Sequence, residues 1–126
     1  MPSPPSRSTV ARLRRLVWIV AIAAVGYLYL RFDNLTLPAG CSPLLRFAPG
    51  NRLLLDLRPG ELAAGDAVVF EDGSGTLLLG LVEATDPEEG HWLVTDNPDC
   101  PGRASGELGW IPARSIAARI LFAWPF

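Results

Sequence analysis

The chain has 126 residues, of which 49% are hydrophobic, and a formal net charge of −2. Once a non-globular N-terminus is set aside, that length excludes more than one compact domain, and the apolar content argues against disorder after residue 35. Charge is split along the chain: Arg7, Arg12, Arg14 and Arg15 precede the long apolar run without any acid, whereas the part after Arg31 sets six arginines against all 13 acids. A domain this acidic lacks the clustered cations that release counterions from phosphates, which excludes nucleic acid as a partner.

The N-terminal MPSPPSRST is rich in Pro and Ser and reads as a disordered tail. From Leu16 to Leu30 the run LVWIVAIAAVGYLYL has no charge, lies between Arg14-Arg15 and Arg31, and carries Trp18, Tyr27 and Tyr29 near its ends. Fifteen helical residues reach only about 22 Å against a hydrocarbon core of roughly 30 Å. Snorkelling arginines, with Phe32 and Leu35 beyond, extend the reach, and local thinning of the bilayer is cheap. The arginine excess keeps the N-terminal side cytoplasmic. The expected division is therefore a basic cytoplasmic tail over 1–15, a transmembrane anchor over 16–32 and an extracytoplasmic domain over 33–126. Two other readings compete: a leader cleaved near Ala21, Ala23 and Ala24, and a lipoprotein signal ending at Cys41, where Pro38 and the polar stretch 31–34 fit badly.

Beyond a short linker the chain breaks into brief apolar blocks: Arg52–Leu57, Ala67–Glu71, Thr76–Glu83, His91–Thr95 and Ser115–Phe122. Pro-Gly, acidic Gly-rich and Asn-Pro segments separate them. The blocks are too short for good helices and rich in Val, Leu, Phe and Trp, so the fold class is mainly β. Gly73-Ser74-Gly75 predicts a hairpin turn. Ser115–Phe122 is ambiguous, because Ile116, Arg119 and Ile120 also suit one face of a short helix.

The order of the blocks resembles that of bacterial type I signal peptidases, over most of residues 40–126. The first motif of that family, G-x-S-M-x-P-T-L-x-P-G-D followed by apolar residues, is similar to Gly40-Cys41-Ser42-Pro43-Leu44-Leu45-Arg46-Phe47-Ala48-Pro49-Gly50-Asn51 and the leucines after it. Counting back from Pro49-Gly50 without a gap puts Ser42 on the nucleophile, while Pro43 and Leu45 replace the usual Met and Pro. Gly65-Asp66-Ala67-Val68-Val69-Phe70 matches the second motif. Gly90-His91-Trp92-Leu93-Val94-Thr95-Asp96-Asn97 and Gly109-Trp110-Ile111-Pro112 echo the closing one.

The resemblance implies a signal-peptidase-like β domain behind one transmembrane helix, in the inner (cytoplasmic) membrane, acting as a serine endopeptidase on exported or membrane proteins without cofactor or metal. In that chemistry a desolvated, neutral lysine takes the proton from the serine hydroxyl. This chain contains no lysine. The strand that resembles the lysine-bearing one reads Thr76-Leu77-Leu78-Leu79-Gly80-Leu81-Val82-Glu83, with no basic side chain. Some relatives use histidine, and His91 is the one histidine, but it falls one strand too late for the base. Asp96 either supports the active-site strand or orients such an imidazole. Asp99 and Arg103 fall near the family's serine-aspartate-arginine stretch but align only with a gap. Without a base, only the small residual rate from binding and oxyanion donors is expected.

In a domain of that kind Cys41 and Cys100 lie near the same cleft, and an extracytoplasmic compartment permits a disulfide between them. Two alternatives stay open: Cys41 as a thiol nucleophile activated by Arg46 or His91, and two inert thiols. Two functions also stay open, a serine endopeptidase with Ser42 as nucleophile and an inactive relative that binds extended peptides or a membrane partner.

Overall fold

The computed structural model describes residues 6–38 and 40–125, in two units, residues 1–31 and 32–126. The first unit is a helix, α1 (Arg7–Arg31). Ser6 caps it: its hydroxyl accepts the Thr9 N–H at 3.3 Å, the geometry by which a serine satisfies a free amide of the first turn. Twenty-five residues at 1.5 Å each give about 37 Å, enough to cross a bilayer. None of its residues is buried, and it is the one described helix long and apolar enough to span a membrane. The helix begins before the apolar run that starts at Leu16. Residues 7–9, read as part of a disordered MPSPPSRST segment, belong to the helix, and residues 10–15 continue it, because Ala, Leu and Arg favour helix whether or not the segment lies in lipid. Residues 1–5 of the expected tail lie outside the described residues. Phe32 is the first residue of a strand.

The second unit is an antiparallel sheet of β1 (Phe32–Thr36), β2 (Arg52–Asp56), β3 (Ala67–Glu71), β4 (Leu77–Asp86), β5 (Gly90–Val94) and β6 (Ile116–Trp124). Its order is β1-β2-β6-β3-β4-β5. A short helix, α2 (Ser105–Leu108), and a single 3-10 turn at Ala113–Ser115 fill the connection before β6. The mainly β expectation agrees with this architecture. The ambiguous Ser115–Phe122 block is strand from Ile116 onward, because β2 pairs with one side of β6 and β3 with part of the other. β1 occupies what was read as linker; its FDNLT lacks a clear apolar alternation and is held by pairing with β2.

The two faces of the sheet carry separate cores. Leu53 and Leu55 of β2, Ala67 and Val69 of β3, Leu79 of β4, and Ala118 and Ile120 of β6 pack under Leu37, Leu44 and Phe47 of the segment between β1 and β2. On the opposite face Val68, Phe70, Val82 and Leu93 pack with Ile111, and Leu62 and Leu108 lie against them. β3 is covered on both sides, which is why Ala67–Phe70 is continuously apolar where a half-exposed strand would alternate. Gly80 leaves room for the Phe70 ring: a Cβ there would stand 3.2 Å from Phe70 Cε1 and from Leu93 Cβ.

The turns follow their residues. Gly75 has φ 85°, and its N–H donates to the Asp72 carbonyl, closing the predicted β3–β4 hairpin. The Asp72 carboxylate accepts the Ser74 and Thr76 amides and the Ser74 hydroxyl, and Arg103 lies 3.1 Å away. The Ser74 hydroxyl bond first, then the amides and the Arg103 charge, hold Asp72 below its ordinary pKa of 3.8. Asp86 does the same for the β4–β5 turn, accepting the Glu88 and Glu89 amides at 2.8 and 3.0 Å, which lower its pKa.

Candidate functional site

Ser42 lies in the segment that covers the first core, between Gly40, whose φ is 121°, and the buried Leu44. Three kinds of bond fix this segment to the chain just after β5. Cys41 and Cys100 form a disulfide with Cα atoms 5.7 Å apart, and no free cysteine remains among the described residues. The Asn97 side-chain amide donates to the Ser42 carbonyl at 2.7 Å, while the Asp96 and Asn97 backbone amides donate to the Pro43 carbonyl. The Asp96 carboxylate accepts the Leu45 N–H at 2.8 Å. Gly102 completes the clamp, since a Cβ on it would come within 2.8 Å of Pro43 Cβ. Ser42 and Asp96 are thus brought to one locus, with Asp96 bonded to backbone.

The Ser42 side chain is engaged locally. Ser42 is only 4% exposed; its hydroxyl donates to the Leu44 carbonyl at 3.0 Å and accepts the Leu44 N–H at 3.3 Å. Such a serine turn satisfies both capacities of the hydroxyl within its own loop. Beside it, Cys41 and Pro43 line a cavity of about 280 Å³ together with Leu35, Leu37, Val69 and Leu77 to Leu79. The wall contributed by β4 is leucine throughout. No basic side chain lines this cavity. Arg46, the nearest cation in sequence, donates to the Gly65 carbonyl at 3.1 Å.

His91 stands in a different place. Its backbone exchanges two 2.8 Å hydrogen bonds with Ile111, and its Nδ1 lies 3.0 Å from the Thr85 hydroxyl of the neighbouring strand. It borders a separate depression with Asp86, Glu88, Pro112 and Arg114. Ser42 and Asp96 do not line that depression. The structure therefore joins Ser42, Asp96, Cys41 and Cys100 and leaves His91 outside the group. Asp99 donates its amide to Asn97 Oδ1, and Arg103 bridges Asp72 and Glu107, so neither touches Ser42.

Sequence reasoning passed over two residues that shape this region. Asn97 belongs to the quoted motif but carried no role, although its side chain holds the Ser42 carbonyl. Ser105 is 1% exposed, and its hydroxyl accepts the Leu93 N–H at 2.8 Å, satisfying a buried amide of edge strand β5. No pattern in the sequence marks Ser105, because its partner lies twelve residues away across a loop. No group of three or more His, Cys, Asp or Glu suited to a metal occurs among the described residues. Comparison of the chain with models of protein families, with curated proteins and with solved structures finds no match.

Proposed function

We propose that this chain is a membrane-anchored relative of the type I signal peptidases that keeps the peptide-holding scaffold and has lost the proton-transfer machinery. In this reading α1 spans a bacterial cytoplasmic membrane with its arginine-rich end inside, as the positive-inside rule favours, and the β domain works on the outer side. The observation that carries the proposal is the state of Ser42: a buried hydroxyl bonded twice to Leu44, beside a strand that offers Leu77 to Leu79 where the resembling enzymes place lysine. A serine hydroxyl whose proton is held by a carbonyl and that has no base to remove it stays protonated at neutral pH and attacks poorly. The neighbouring cavity, lined mainly by leucine, proline and valine, suits an apolar side chain of an extended peptide, a segment of an exported or membrane protein.

The test uses the full chain in lipid nanodiscs with a fluorogenic signal-peptide substrate. The expected result is saturable binding of the peptide, weakened by Leu77→Asp at an exposed position of the cavity lining, with no cleavage that depends on Ser42. Cleavage abolished by Ser42→Ala and retained by His91→Ala would overturn the reading and restore the endopeptidase with a base still to be located. Loss in both variants would favour histidine as the base.

A further inference from the structure

The face of the sheet that carries Val68 and Phe70 is covered by Ile111, Leu62 and Leu108, whereas farther across it, on β2 and β6, Arg52 and Phe122 are exposed. Cross-strand register sorts the residues of the open part into three rows: Phe32, Asp56 and Arg119; Asn34, Leu54 and Phe122; Thr36, Arg52 and Trp124. Neighbours in register share a face, and side chains two apart along a strand do too. The rows therefore form one surface opposite the core face of Leu53, Leu55 and Ile120. Phe122 is 54% exposed, and its ring lies 5.2 Å from that of Trp124. Leu54 beside them is only partly buried.

The charge of this surface is opposite to that of the domain. Its one acid, Asp56, is 2% exposed and lies 3.6 Å from the Arg119 guanidinium, while Arg52 is exposed. An otherwise acidic domain thus offers here three aromatic rings, one further apolar side chain and an exposed cation.

We infer that the open face of β1, β2 and β6 rests on the membrane, with Trp124 and Phe122 at headgroup depth and Arg52 directed at anionic lipid phosphates. Amphipathic indole and phenyl rings favour that zone, and an arginine near an anionic leaflet adds to the attraction. A second copy of the chain suits the surface less well, because four apolar side chains are far fewer than the roughly 20 to 30 residues per side of a stable interface. This inference stands on the β6 surface and is independent of whether Ser42 is active.

The experiment places the full chain, carrying Trp18→Phe, in vesicles of phosphatidylcholine and phosphatidylglycerol whose acyl chains are brominated close to the headgroup. Trp92, Trp110 and Trp124 remain as emitters. Bromine should remove roughly a third of the emission, the share of one indole in three, and the removal should vanish when Trp124→Phe is added. Near-ultraviolet circular dichroism from the edge-to-face pair Trp92 and Trp110, 5.3 Å apart, verifies that both proteins are folded. Equal quenching with and without Trp124, or no quenching in either protein, would overturn the inference. Shielding of Trp124 that rises with the protein-to-lipid ratio and ignores bromine would do so too, assigning the face to a second copy.

Discussion

Removing the Cys41–Cys100 disulfide is expected to destabilise the β domain without changing its native shape. The bridge spans a sequence separation of 59, and loop-closure entropy for a ring of that size gives about 4 kcal/mol, acting mainly on the unfolded chain. In the folded domain the same two segments are also held by the Asn97 bond to the Ser42 carbonyl, the two amides on Pro43 and the Asp96 bond to Leu45, so they stay together when the bridge is cut. For a domain of fewer than a hundred residues, 1 kcal/mol corresponds to roughly 5 °C in Tm, so about 4 kcal/mol corresponds to about 20 °C. The assay is a thermal melt of the full chain in non-ionic micelles, followed by the near-ultraviolet signal of the Trp92–Trp110 pair. Oxidised protein, reduced protein and the double variant Cys41→Ala/Cys100→Ala are compared. At 20 °C the three spectra should coincide, and on heating the reduced and variant proteins should melt far earlier. Mass-verified reduced protein that melts within about 3 °C of the oxidised form would refute the entropy argument.

Ser105→Ala leaves the Leu93 N–H buried without an acceptor, which costs about 1 to 3 kcal/mol. The melt should shift down accordingly and hydrogen exchange at Leu93 should accelerate; unchanged exchange there would contradict the role given to Ser105. Asp72 predicts an acid-side effect. Its pKa is depressed in the folded domain, so its stabilising contribution is complete above the ordinary value of 3.8 and is lost as pH falls through the lower folded value. Asp72→Asn should therefore lower Tm at pH 6 and flatten its decline below about pH 4. Parallel Tm profiles for wild type and variant would show that the hairpin carboxylate has no such linkage.

Much of this architecture was legible before any coordinates. The strand Ala67–Glu71 is legible with the bounds that it has in the sheet, because Ala67–Phe70, covered on both faces, is apolar throughout. The hairpin at Gly73-Ser74-Gly75 was legible for a local reason, a glycine at positive φ. β1 was not, since its stability comes from the ladder to β2 and its own residues are mostly polar. The apolar run from Leu16 does not mark the start of α1, because hydropathy reports where lipid solvation suits the side chains, while capping at Ser6 marks where the helical backbone begins.

The candidate site divides in the same way. The sequence by itself determined which chemical groups exist: one histidine, no lysine, two cysteines and a serine in a motif-like segment. It also determined that an apolar N-terminal helix precedes a β domain, because composition and hydrophobic period are properties of contiguous residues. Only the tertiary structure decided that Cys41 and Cys100 are bonded, that Asp96 serves the Leu45 amide, and that the Ser42 hydroxyl closes on Leu44. It alone set Phe122 and Trp124 beside Leu54 and Arg52 on an open face. Those relations join residues as far apart as Arg52 and Trp124 or depend on where a side chain turns, and strand register and loop packing fix them, not any pattern along the chain.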